Sequence, residues 1–163
     1  MRRILLITLV PLFASLLAGS LQADNSTVIG PDPLLQAGAR ALQLRDFAEG
    51  VRLTQQGLMA EVAPRARVTG LSNLCAGYVG LGQYARAIEH CDAALALRPR
   101  FWRALNNRAL ALLGQQKLHA ALLDAQRGLE INPEGGALRR SLELIRAAQA
   151  RESLTAAVST ITE

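Results

Sequence analysis

Asn73 and Asn107 stand 34 residues apart, as do Leu71 and Leu105, Ala87 and Ala121, Leu95 and Leu129, and Pro99 and Pro133. A chain that repeats itself at such an interval stacks small supersecondary units, because one unit alone cannot bury its own apolar face. Segments 66–99 and 100–133 are two copies of one unit. In the first copy, Leu71, Leu74, Cys75, Tyr78 and Leu81 recur at helical spacing. Gly82 breaks the pattern and suits a left-handed corner. Tyr84, Ala87, Ile88, Cys91, Ala94 and Leu95 then form a second apolar stripe, which Pro99 ends. The small residues Ala87 and Ala94 let the two helices approach closely.

A weaker copy occupies about 31–65. Leu34, Ala37, Gly38, Leu44, Phe47, Gly50, Val51 and Leu58 match the next unit at an offset of 37, with the extra residues falling near Pro64 in a longer connection. After Pro133, Gly135 and Gly136 open an amphipathic stretch over about 136–150. Leu138, Leu142 and Ile145 face one way, and Arg139, Arg140, Glu143 and Arg146 face others, as in a helix that caps a stack and solvates its end. Residues 151–163, rich in Ser, Thr and Ala, are expected to fray as a flexible tail.

Leu71, Leu74, Cys75, Tyr78, Gly82, Tyr84, Ala87, Cys91, Ala94 and Pro99 together resemble the signature of the tetratricopeptide repeat (TPR). The next copy is similar but more worn: Arg108 stands at an often apolar place, and Gln116 where Gly is usual. The resemblance covers about 31–150. It implies an all-α, right-handed solenoid of three helix-turn-helix repeats and a C-terminal cap helix. Composition agrees, since Ala and Leu dominate and aromatics make up only 4%.

Residues 1–23 read as an export signal: Arg2 and Arg3, an uncharged apolar run from Ile4 to Gly19, then small residues up to Ala23. Cleavage is expected after Ala23, with 24–30 as a short linker and the rest periplasmic or secreted. The alternative is an uncleaved leader serving as an inner-membrane anchor, the only route to a membrane. Ser20 stands where a lipoprotein box would carry its acylated Cys, so no lipid anchor is expected. Without Arg2 and Arg3 the net charge of +5 falls to +3, too mild for a nucleic-acid footprint.

The resemblance implies a concave wall made by the first helix of each repeat, carrying Leu35, Gln36, Thr69, Ser72, Asn73, Ala76, Arg103, Asn106, Asn107, Leu110, Arg140 and Ser141. Ser72, Asn73, Arg103, Asn106, Asn107, Leu110 and Arg140 are its expected partner-binding residues. Asn offers donors and an acceptor to a peptide backbone, and Arg suits a carboxylate. Equally open is that Asn73 and Asn107 bond neighbouring helices. Some TPR domains clamp a partner's terminal carboxylate with Lys, Asn and Arg side chains. Asn73 fits one clamp position and Arg103 could substitute at another, but Leu35, Ala39 and Asn107 occupy the others, so the clamp is not expected here. Phe101 and Trp102 suit packing between repeats better than a binding hot spot.

Cys75 and Cys91 fall on facing stripes of one helix pair. They form either a disulfide that locks the hairpin or two buried thiols. His90 and His119 are far apart on outward-leaning faces, the carboxylates are scattered, and no catalytic or metal motif occurs. The expected role is non-enzymatic and free of cofactor or metal: binding of a protein or peptide in the groove. The alternative is a structural subunit that assembles through its convex face or cap.

Overall fold

The computed structural model describes residues 32–161; the expected leader and linker lie outside them. Seven helices and no strand are present among the described residues: α1 (Pro33–Gln43), α2 (Phe47–Met59), α3 (Pro64–Gly80), α4 (Tyr84–Leu97), α5 (Trp102–Gly114), α6 (Leu118–Ile131) and α7 (Gly136–Ile161). The first six form three antiparallel pairs, and α7 covers the last pair.

Local chemistry starts and ends these helices. Asp32 and Asp46 cap α1 and α2, accepting hydrogen bonds from the backbone N–H of Leu35 (3.0 Å) and Glu49 (3.2 Å). Pro33 and Pro64 sit in the first turn, where a missing N–H costs nothing. Pro64 therefore opens α3 rather than marking a connection, and the second pair begins earlier than the expected 66. The corners between paired helices turn through left-handed backbone at Arg45, Gly82 and Gln116. At the last, the N–H groups of Gln116 and Lys117 donate to the carbonyls of Leu113 (3.0 Å) and Leu112 (2.9 Å), satisfying the end of α5.

The core runs along the stack. Val51, Leu74, Tyr78, Ala87, Cys91, Ala94 and Leu105 pack in one cluster, and Ala109, Ala121, Ala125 and Ile145 in a second beneath α7. Alanine and glycine set the close approaches. A Cβ on Gly80 would lie 2.4 Å from the Phe47 ring, and one on Gly114 would lie 2.4 Å from the Tyr84 ring. Thus the aromatic that opens the second helix of one pair rests on a glycine of the next pair's first helix, twice, one repeat apart.

The C-terminal segment departs from expectation. The last helix does not stop near 150 but continues to Ile161. Residues 151–161 contain neither Gly nor Pro, and the Ser153 and Thr155 hydroxyls donate back to the carbonyls of Gln149 (3.0 Å) and Arg151 (2.9 Å). Such bonds let Ser and Thr sit within a helix. The side chains described from Arg151 to Val158 are exposed, so this part of α7 extends past the core.

Candidate functional site

Curvature identifies the candidate wall. Among the described helices, α1 touches α3, α3 touches α5 and α5 touches α7, whereas α2, α4 and α6 do not touch one another. A stack pinched on one side bends toward that side, so the odd-numbered helices line the inner wall.

Two polar rungs tie this wall together. The Asn107 side-chain amide donates to the Ser72 carbonyl (3.1 Å) and to its Oγ (3.3 Å), joining α5 to α3. One repeat on, the Ser141 hydroxyl donates to Asn106 Oδ1 (2.9 Å), joining α7 to α5. Both links span 35 residues, one more than the sequence period. Ser72 and Asn106 are only 2% and 7% exposed. They are therefore not groove residues: each is a buried polar group held by the next helix, where an unpaired one would cost ~1–3 kcal/mol. Asn107 is half-buried with its amide spent on the rung. Of the two readings for that residue, the bond to a neighbouring helix is the one seen.

No such rung is seen at the start of the stack, where the position matching Ser72 is Leu35, which offers no hydroxyl. Asn73 is half-buried, and its side chain makes no hydrogen bond among the described residues. Leu110 is likewise half-buried, and Arg103 and Arg140 are exposed. Arg103 stacks over the half-buried Trp102 ring at 4.5 Å, while Phe101 is buried in the core beneath Arg98. The adjacent aromatics thus divide, one packing the core and the other carrying a cation.

Sequence reasoning missed a niche on this wall. Arg45, Phe47, Ala76, Val79, Gly80, Asn107 and Leu110 enclose about 410 Å³ where the α1–α2 corner meets α3 and α5. Arg45 lies over the Phe47 ring at 5.5 Å and forms no ion pair among the described residues. The signal was available: Arg45 occupies the corner that Gly82 occupies one repeat later.

On the outer side, Arg108 is not the misfit its position suggested. Its guanidinium grips Asp124 of α6 through two bonds (2.6 and 2.8 Å) and reaches Asp92 of α4. The Asp124 bonds foremost, then that to Asp92, hold its pKa above the ordinary arginine value, although burial works against them. Cys75 and Cys91, both fully buried, are joined as a disulfide between α3 and α4 with Cα atoms 5.3 Å apart. His90 does not simply lean outward, because its ring stacks on Tyr78 at 5.2 Å. Burial lowers its pKa, Glu89 raises it, and Arg86 lowers it further. No group of three or more His, Cys, Asp or Glu side chains among the described residues could hold a metal ion. No described helix is long and apolar enough to cross a membrane.

Three helix pairs, a pinched inner wall and a covering helix define an all-α solenoid of the tetratricopeptide type. No family model matches the chain. In sequence it is similar to the small glutamine-rich tetratricopeptide repeat-containing protein 2 of Mycosarcoma maydis, with 26% identity over 111 residues, 68% of this chain and 31% of that protein. It is also similar to Protein PHOX1 of Arabidopsis thaliana, with 35% identity over 72 residues, 44% of this chain and 10% of that protein. The chain therefore spans less than a third of the length of these curated relatives. Among solved structures it resembles the first TPR domain of human RPAP3, with a TM-score of 0.65 and 25% identity over 74% of this chain and 92% of that one. It also resembles the first TPR of Spaghetti (RPAP3) bound to the HSP90 peptide SRMEEVD, with a TM-score of 0.62 and 26% identity over 72% of this chain and 90% of that one.

Proposed function

We propose that this chain is a non-enzymatic interaction module that holds a protein or peptide segment along the inner wall of α1, α3, α5 and α7. The observation that carries this reading is the division of labour on that wall. The rungs consume Ser72, Asn106, Asn107 and Ser141, and leave Asn73, Arg103, Leu110 and Arg140 open to a partner. The likeness to a TPR domain bound to a peptide supports it. That peptide is not the expected ligand here, because Leu35, Ala39 and Asn107 replace the side chains of a terminal-carboxylate clamp.

The module is read as exported, periplasmic or secreted, or anchored to the inner membrane if the leader is retained. The leader pattern in the sequence and a buried cystine both favour an oxidising compartment. To test the groove, partners crosslinked in a periplasmic extract are compared between the full chain and an Asn73→Ala/Leu110→Arg variant. Loss of the captured proteins supports the groove, and an unchanged set sinks it. A second reading, assembly through the cap, draws on α7, where Leu144 and Leu154 are 56% and 67% exposed. Under that reading capture survives the groove variant and disappears when the chain is cut after Ala150.

A further inference from the structure

The niche beside Arg45 carries more than a place for unspecified contact. Its walls are mostly apolar: the Phe47 ring, Ala76, Val79 and Leu110, with Gly80 letting the ring lie close against α3 and Asn107, its amide bonded to Ser72, as the polar exception. Its volume of about 410 Å³ falls within the range of small binding clefts. Arg45 contributes its cation to the lining.

Arg45 holds its place at a conformational cost, since its φ of 64° is the left-handed region that Gly82 enters freely at the equivalent corner. Gln116 enters the same region at the third corner, so this backbone belongs to the turn, and it fixes where the Arg45 side chain leaves the chain. The guanidinium rests on the Phe47 ring with no carboxylate partner among the described residues. The cation is exposed, held over the ring, and available to a carboxylate.

We propose that this niche is a specificity pocket for an internal acidic segment of the partner. An aliphatic side chain enters the space between Phe47, Val79 and Leu110, and the carboxylate of the adjoining Asp or Glu pairs with Arg45 at the rim. The inference rests on the groove reading and names what the groove selects. A side-chain carboxylate fits better than a chain terminus, because α1 and α3 both end at this edge of the wall. Their carbonyl ends disfavour an anion inside the niche. A terminal carboxylate attached beside the inserted side chain would be held close to those carbonyls, which repel it. A carboxylate on the next side chain can remain at the rim, where the guanidinium fork can grip both oxygens.

Three labelled peptides test this against the full chain by fluorescence anisotropy. One carries an internal Leu-Glu pair and an amidated C-terminus. The second has Leu-Gln in its place, and the third ends in Leu with a free carboxylate. The Leu-Glu peptide is expected to bind about five-fold tighter than Leu-Gln, an advantage of the size usual for a rim charge, and to weaken with added salt. Arg45→Gly should erase that advantage while leaving thermal stability equal or higher, since glycine suits this backbone.

Equal binding of Leu-Glu and Leu-Gln, or an advantage that survives Arg45→Gly, overturns the pocket. Preference for the free-carboxylate peptide, if lost in Arg45→Gly, overturns the internal-segment assignment. Asn73→Ala, on the wall but outside the niche, separates the two levels. If it weakens binding of every peptide while Arg45→Gly changes nothing, the groove stands and the pocket falls. If neither substitution alters any binding, both fall.

Discussion

Three corners of the stack turn through left-handed backbone, with φ of 64° at Arg45, 71° at Gly82 and 60° at Gln116. Glycine enters this region without crowding, whereas a side chain there costs ~1 kcal/mol. Gln116→Gly should therefore stabilise the protein by about 0.5–1 kcal/mol, the gain in the folded state being partly offset by a freer unfolded chain. An upward shift of the urea midpoint measures it, and a downward shift would show that the Gln116 side chain makes a contact worth more than the strain. His90 gives a second expectation. Burial against Tyr78 lowers its pKa, so the unfolded chain takes up the proton first. Its neutral-state contribution is fully present above about 6.5, the ordinary His value, and is lost as pH falls from there toward the lowered folded value. Between pH 7.5 and 5.5 the melting temperature of wild type should fall more than that of His90→Gln, and parallel curves would rule the effect out. The rungs show what the sequence hid at this scale. The 34-residue period aligns Asn73 with Asn107, but the bonds span 35 residues, so the pattern displayed the Asn residues and concealed which of them are spent.

The pair α3–α4 is the best-fixed element of the molecule, since it carries the disulfide at its centre and the signature residues on both sides. Helical spacing put Cys75 and Cys91 on facing stripes, and Ala87 and Ala94, both fully buried, allow the approach that brings their Cα atoms to 5.3 Å. Closing a loop of this size is worth ~3 kcal/mol. Cys75→Ser/Cys91→Ser should lose about that much in denaturant unfolding. Wild type in strong reductant should drop in the same direction, and an unchanged midpoint in both would mean that the cross-link carries no stability. The ends of elements were less legible than their middles. Gly82 announced its corner, but Arg45 and Gln116 could be placed only by counting from it. The end of α7 was hard to read for a different reason: the helix formers Arg151, Glu152, Leu154, Ala156 and Ala157 alternate with Ser, Thr and Val, and continuation depends on the absence of a breaker and on hydroxyls bonding back along the helix.

At the scale of the whole molecule, stability should be distributed along the stack, because each pair touches only its neighbours. The cap then has a calculable role. Leu138 and Ile145 are fully buried on α7, Leu138 packing against Gly128 and Ile145 against Ala109, Ala121 and Ala125. Ser141 also satisfies buried Asn106. Ending the chain after Ala150 removes only the exposed part of the helix and should change stability by less than about 1 kcal/mol. Ending it after Gly135 removes both buried side chains, each worth ~2–5 kcal/mol, and leaves Asn106 without its partner. In such a stack the damage should be graded by distance. Amide hydrogen exchange should show protection collapsing in α5 and α6 while α3 and α4, held by the disulfide, retain more of theirs. A uniform loss from α1 to α6 would mean that the pairs fold as one cooperative body, with the interfaces between repeats outweighing the repeats themselves. A graded loss would leave the wall formed at its α1–α3 end, where Asn73 lies, while the Arg45 niche would lose the Asn107 and Leu110 side that α5 supplies.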